Sequence, residues 1–470
     1  ALGLGISGLS AVMTGSDFLH LDPAAAPPRE RTTWLAAQLR TAIADGALGA
    51  GARVQPSREL AAELAFSRGV VVEAYRRLAE EGLLLAEGAA GTRVAETVPP
   101  ATPPGPVTDA PARPETLHLS MGAPDLSAFP RAAWLRAERR VLSAATSREL
   151  GYADPQGVGA LRIALSGWLA RSRGVVVPPE RIIVTAGVTG ALSLTAQVMR
   201  DRGLTACAIE DPSADGNRRI LDYWLDSLLP VPVDADGIDV EALTATGARA
   251  VLTTPAHQFP TGALLSPARR RELVAWAEQS DGLIIEDDYD SEYRYDRAPV
   301  RALHASAPDR ILHVSSLSKV LAPALRIGWM VAPEHWHDDL VRKRWATDLG
   351  SPALPQLALA ELIRTGALER QVRRLRLRHR ERRNAAVAAV RAHLPDARIE
   401  GIAAGLHLLV LLPRHVDDTA LAERAAAAGI RVAPLSAYRF SPGDPGVVIG
   451  YGPHSPARLE AAIAALGRLI

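Results

Sequence analysis

Apolar residues recur at helical spacing near the start of the chain: Leu35, Leu39 and Ile43 stand four apart and the stretch closes at Gly46, which predicts a helix from about Thr33 to Asp45. Ser57 reads as the cap of a second helix carrying Leu60 and Leu64. After the short turn Ala65-Phe66, Ser67 reads as the cap of a third, with Val71, Ala74, Tyr75 and Leu78 on its inner face and Arg68, Val72 and Arg76 on its outer one. Leu83 to Leu85 and Thr92 to Val94, separated by Glu87-Gly88-Ala89-Ala90-Gly91, read as a hairpin. Two short helices, a tight turn and a longer helix with arginine near its start make a helix-turn-helix, whose last helix enters the major groove of DNA, and the hairpin makes a wing.

Further on the period changes. Arg181 to Thr185, Gly282 to Ile285 and Ile311 to Val314 are short apolar, β-branched runs, the mark of buried strands in an α/β sheet, where ligands bind at the carboxyl ends. The first run turns through Ala186-Gly187-Val188-Thr189-Gly190 into a helical stretch from Ala191 to Met199, so its amides face an anion from a helix N-terminus. The second ends in Glu286-Asp287-Asp288-Tyr289, the third in Ser315-Ser316-Leu317-Ser318-Lys319. Together these ends offer an anion cradle, a carboxylate with a phenol, and an amine, the set that pyridoxal phosphate requires.

Composition sharpens one residue. Of the 53 lysines and arginines in 470 residues only Lys319 and Lys343 are lysines. An arginine at 319 would keep the charge but never lose its proton, whereas a desolvated lysine serves as an amine nucleophile. Charge argues against a general polyanion binder: the net is +1, and Arg29 to Glu96 holds as many acids as arginines, so only the sidedness of the arginines points to a phosphate footprint. Arg370 to Arg383, dense in arginine, reads as the charged face of a helix. The lone Cys207 excludes an intrachain disulfide, no run approaches a membrane span, and the scattered histidines show no metal-ligand spacing, so no metal site is assigned. These properties point to a cytoplasmic protein. The apolar residues before Met13 lack a basic region and are read as a tail rather than a signal peptide. Between Val98 and Glu115 prolines crowd a segment without periodicity, a semi-extended linker.

Several ordered motifs carry a resemblance: Met121-Gly122-Ala123-Pro124-Asp125 with Phe129-Pro130, Gly151 to Gly157, Thr254 to Gly262, Glu286 to Tyr295 and Ser316 to Gly328. They resemble the fold-type I aminotransferases. With Ser57 to Ala61, Ser67-Arg68 and Tyr75 to Leu78, which resemble GntR domains, the chain is similar to the MocR subfamily of GntR regulators. The resemblance implies an α/β architecture: a winged helix at 16–97 after a tail at 1–15, a linker at 98–117, and an aminotransferase-like domain at 118–470. That domain would hold a large, mostly parallel sheet and a small C-terminal α+β part at roughly 345–470. It implies that Lys319 bonds pyridoxal 5'-phosphate as a Schiff base, Asp287 pairs with its pyridine nitrogen and Tyr289 with its phenolic oxygen. Ser316, Arg326, Val188 and Thr189 would hold the phosphate, and Tyr152 would reach the cofactor of the partner in a head-to-tail homodimer. Arg58, Arg68 and the wing at Gly88 would touch double-stranded DNA, with Ser57, Ser67 and Arg76 beside them.

Two departures bear on activity. The tyrosine that stacks on the cofactor in the family is Ala214 here, and the arginine that clamps a substrate carboxylate is Val448. Arg294 and Arg297 are the candidates to replace that clamp. The expectation is a transcription regulator whose aminotransferase-like domain senses pyridoxal phosphate or an amine, with efficient transamination counted against; the alternative is a working aminotransferase with a DNA-binding appendage.

Overall fold

The computed structural model describes residues 21–88, 91–96, 117–119, 124–296 and 300–470. The tail, nearly all of the linker, Met121-Gly122-Ala123 and Arg297 lie outside the described residues. The chain divides into two units, Ala1–Ala112 and Arg113–Ile470.

In the first unit α1 (Arg31–Ala44), α2 (Ser57–Glu63) and α3 (Arg68–Glu80) enclose a core in which Leu35, Leu39 and Ile43 meet Val71, Ala74 and Leu78. The Tyr75 hydroxyl donates to the Gln55 carbonyl at 2.8 Å, tying α3 to the chain before α2. Three short strands, β1 (Arg53–Val54), β2 (Leu84–Ala86) and β3 (Thr92–Val94), pair antiparallel in the order β1-β3-β2. The wing starts one residue later than predicted because the Leu83 amide closes the end of α3 on the Leu78 carbonyl. The two serine caps are corrected. Pro56 makes the entry turn of α2, so Ser57 falls inside the helix; Ser67 stands at the N-cap of α3 but its hydroxyl makes no capping bond.

In the second unit, β4 (Leu117–His118) leads into α4 (Arg131–Ala144) and α5 (Gly159–Arg173). The central sheet comprises β5 (Ile182–Thr185), β6 (Ala206–Asp211), β7 (Ser227–Asp234), β8 (Gly237–Ile238), β9 (Ala250–Thr253), β10 (Leu283–Asp288), β11 (Ile311–Ser316) and β12 (Gly328–Val331). Its order is β5-β12-β11-β10-β9-β6-β7-β8, parallel from β11 through β7, with β12 and β8 antiparallel to their neighbours. One face packs on α6 (Gly187–Asp201) and α7 (Asp215–Trp224) through Leu192, Met199 and Leu221; the other packs on Leu243, Leu273 and Trp276. Being covered on both faces, the strands read as unbroken apolar runs.

A smaller antiparallel sheet, β13 (Arg398–Glu400), β14 (His407–Leu411), β16 (Ala433–Pro434) and β17 (Gly446–Gly450), packs on the helices Ala367–His393 and Pro456–Gly467, while β15 (Ile430–Arg431) pairs with β4. The arginine-rich stretch lies on Ala367–His393, but it is more than a solvated face. Arg378 and Arg382 pair with buried Asp125 at 3.1 and 2.9 Å, and Arg376 donates to the Glu292 carbonyl.

Candidate functional site

Alternation along β10 and β11 sorts their polar residues between two environments. Ile284 and Ile311 face the core around Leu273 and Trp276; Ile285, Leu312 and Val314 face α6 and α7. Glu286 and Asp288 share the face of Ile284 and are fully partnered there. Glu286 accepts from the Leu303 and His304 amides at 2.6 and 2.9 Å and lies 3.2 Å from His313 Nδ1. Burial alone would raise its carboxyl, yet these bonds and the His313 charge hold it below its ordinary range. Asp288 takes a two-pronged bond from Arg173 at 2.7 and 2.8 Å, with both side chains buried.

Asp287 points the other way, into a cavity of about 200 Å³ at the strand ends. Val188, Thr189, Ser316, Lys319 and Arg326 line the same cavity with Asp287 and Tyr289, so seven of the sequence-predicted residues come together. Asp287 Oδ2 accepts from Asn217 Nδ2 at 2.8 Å, while the buried Oδ1 has no partner. Burial, with Asp288 and Asp290 adding like charge, pushes this carboxyl up to about 7. Burial also pulls the Lys319 ammonium down, opposed by Asp290 and Asp287, and the Tyr293 hydroxyl holds the Lys319 carbonyl at 2.9 Å. At the far end Arg326, in the left-handed region at φ 51°, donates to the Ala186 carbonyl beside the first turn of α6. Gly187 and Gly328 let α6 and β12 approach there: a Cβ on Gly328 would lie 2.7 Å from the Gly187 Cα.

Two predicted features lie elsewhere. Tyr152 is 94% exposed and does not line the cavity. Arg294 is buried and paired with Asp296 at 2.8 Å, so it is neither a surface residue nor a free clamp. Ala214 lines the cavity and Val448 is buried with Phe259, Leu409 and Leu435 in an apolar cluster beside it.

Sequence reasoning missed Asn217, one turn past Ala214, and Phe259, which lines the cavity inside the quoted Thr254 to Gly262 motif. It also missed a buried group. His257, Asp290 and His407 bring their ligand atoms within 4.8 Å of one another, which no spacing along the chain reveals.

In the first unit Arg58, Arg68, Ser67 and Gly88 are exposed and Ser57 is half-buried. Among the described residues Arg58 and Arg68 form no ion pair. Arg76 pairs with Glu73 at 2.6 Å and with Glu80.

Residues 32–94 match the profile of bacterial regulatory proteins of the gntR family, and residues 114–466 that of aminotransferase class I and II. The chain is 36% identical to the HTH-type pyridoxine biosynthesis transcriptional regulator PdxR of Corynebacterium glutamicum, over 94% of this chain and 97% of that one. It is 33% identical to the probable rhizopine catabolism regulatory protein MocR of Rhizobium meliloti, over 95% of each. Among solved structures, an archaeal alanine:glyoxylate aminotransferase superposes with a TM-score of 0.70 at 27% identity, over 76% of this chain and 91% of that one.

Proposed function

The chain belongs to the gntR family of bacterial regulatory proteins, in the MocR-type branch that joins a winged helix to a class I and II aminotransferase domain, and on that premise we propose that the signal it reads is pyridoxal phosphate itself. It is a DNA-binding transcription regulator, and its aminotransferase domain binds pyridoxal phosphate.

The cavity fits the cofactor. An unpartnered, buried Asp287 Oδ1 asks for a proton donor such as a pyridinium nitrogen, and the opposite end offers Arg326 with the first-turn amides of α6 to a dianion. When bound, pyridoxal phosphate supplies an aldehyde carbon and an electron-withdrawing ring. Lys319, its ammonium destabilised by burial, would hold the cofactor at that carbon through its amine. Asp287 would hold the proton on the ring nitrogen, Tyr289 would donate to the phenolic oxygen, and Ser316, Arg326, Val188 and Thr189 would retain the phosphate.

The observation that carries the choice of signal is Val448. Where the resemblance implies a carboxylate-clamping arginine, this side chain is fully buried among Phe259, Leu409 and Leu435, an environment that penalises an amino-acid carboxylate. The reading extends to a head-to-tail homodimer in the cytoplasm, with Tyr152 of one protomer reaching the other's cofactor. Cofactor binding then biases DNA affinity in proportion to its preference for one dimer arrangement.

The test is a titration of the purified full-length apo-protein with DNA from upstream of its own gene, with and without pyridoxal phosphate. Affinity that changes with the cofactor alone supports the reading. Affinity indifferent to the cofactor but responsive to an amine overturns it, and multiple turnovers of an amino donor with a 2-oxo acid would establish the enzyme alternative.

A further inference from the structure

Behind Tyr289 lies a pair of side chains that no cofactor contact above uses. His257 follows β9 and Asp290 follows β10; they are 3% and 2% exposed. His257 Nδ1 lies 2.9 Å from Asp290 Oδ2 and 3.1 Å from the Tyr289 hydroxyl oxygen. One ring nitrogen cannot donate to a carboxylate and accept from a phenol at once. A carboxylate only accepts, so the proton sits on Nδ1 and is shared between Asp290 and the tyrosine oxygen. That leaves the phenol's own proton two acceptors, the Asp290 carboxylate and, with the cofactor bound, its phenolic oxygen; by occupying Asp290 Oδ2, His257 weakens the first.

The surroundings keep this arrangement. Burial, then the charges of Asp290 and Asp287, a hydrogen bond to Asp290 and the charge of Glu210, hold the Tyr289 phenol far above its ordinary range, so it stays a donor. His407, across from His257, is held neutral by burial, by His257 and by Lys319, and its Nε2 donates to the Pro260 carbonyl at 3.1 Å. Gly405, at φ +72°, closes the socket. A Cβ there would lie 2.2 Å from His257 Cε1 and 2.5 Å from Asp290 Oδ2, while the Tyr295 and Tyr451 hydroxyls pin its carbonyl at 2.6 and 2.5 Å.

We propose that His257, fixed by Asp290, is a positioning residue that turns the Tyr289 hydroxyl toward the phenolic oxygen of bound pyridoxal phosphate and so sets the proton affinity of the lysine-linked cofactor. The inference rests on the cofactor reading above. A donor at the phenolic oxygen stabilises its negative charge and hence the form that has lost the proton; without the donor, the proton is held more tightly.

The experiment follows the visible absorbance of the lysine-linked cofactor against pH in the full-length protein. Tyr289→Phe and His257→Leu are expected to raise the midpoint together, by about one pH unit. His257→Asn, whose amide nitrogen stands near the place of Nδ1, is expected to stay close to wild type. A His257→Leu midpoint that stays at the wild-type value while Tyr289→Phe moves overturns the inference, and a lowered melting temperature with an unmoved midpoint marks a merely structural role. If His257→Leu does not fold, Asp290→Asn replaces it, because the amide lacks the charge that keeps the proton on Nδ1; no rise there overturns the inference equally. A wild-type protein without a visible band fails at the cofactor reading itself, so the two failures are told apart.

Discussion

At Asp287 burial and function pull against each other. Its carboxyl, ordinarily at 3.8, stands at about 7 in the folded chain, so between those values the native state keeps a proton that the unfolded chain has lost. The contribution of Asp287 to the stability of the cofactor-free protein therefore falls as pH rises from about 4 to 7 and levels off above. The melting-temperature advantage of wild type over Asp287→Asn is expected to shrink from pH 5 to 7, while Glu292, raised to about 7, and His304 and His379, lowered to about 4, act alike in both proteins. A difference that stays constant across that range would remove the titration of Asp287. At Lys319 the expectation is simpler. Lys319→Ala should abolish the visible absorbance of the bound cofactor, and an unchanged spectrum would refute the assignment of the amine. Both residues were readable in the sequence, since each sits at the end of a short apolar run where a charged side chain has few reasons to be. Asn217, which orients Asp287, was not, because an asparagine in the first turn of a helix has many ordinary uses.

Among the elements, the meeting of α6 with β12 decides whether an anion can be held. Gly328→Ala would drive a methyl group against Gly187 Cα and the Ser315 carbonyl, at 2.7 and 2.9 Å, so the helix start must move away. The expected result is a loss of on the order of 1–3 kcal/mol in stability, together with weaker cofactor retention, measured by melting and by equilibrium dialysis. On α3, exposed Arg68 and Arg76 share one face, but their surroundings differ. Arg76 is committed to Glu73 and Glu80, and its pairing holds Glu73 at about 2. Arg68→Ala is therefore expected to weaken operator binding by about 1–3 kcal/mol, and Arg76→Ala by clearly less, in salt-controlled binding titrations. Equal losses would mean that Arg76 leaves its acids on binding DNA. The helical period located this face; the acids that occupy Arg76 lie three and four residues away and follow from the same period, a signal that was present and passed over.

For the molecule as a whole, assembly carries the regulatory reading. The chain is expected to sediment at twice its 49.9 kDa, and Tyr152→Ala to lower cofactor retention without unfolding the protomer, since the side chain is 94% exposed and outside its own cavity. Retention unchanged in that variant would argue that the partner contributes no tyrosine. Neighbouring residues alone fix the winged helix, the class of the second fold and the strand ends that carry Asp287, Ser316 and Lys319, because period and strand-end chemistry are local properties. It took the packed fold to bring Arg173 onto Asp288, Arg382 onto buried Asp125 and Arg294 onto Asp296, and to gather His257, Asp290 and His407. Most of those partners are tens to hundreds of residues apart, so their pairing depends on how strands register and layers pack, and a buried polar group's role is settled by the partner that packing brings to it.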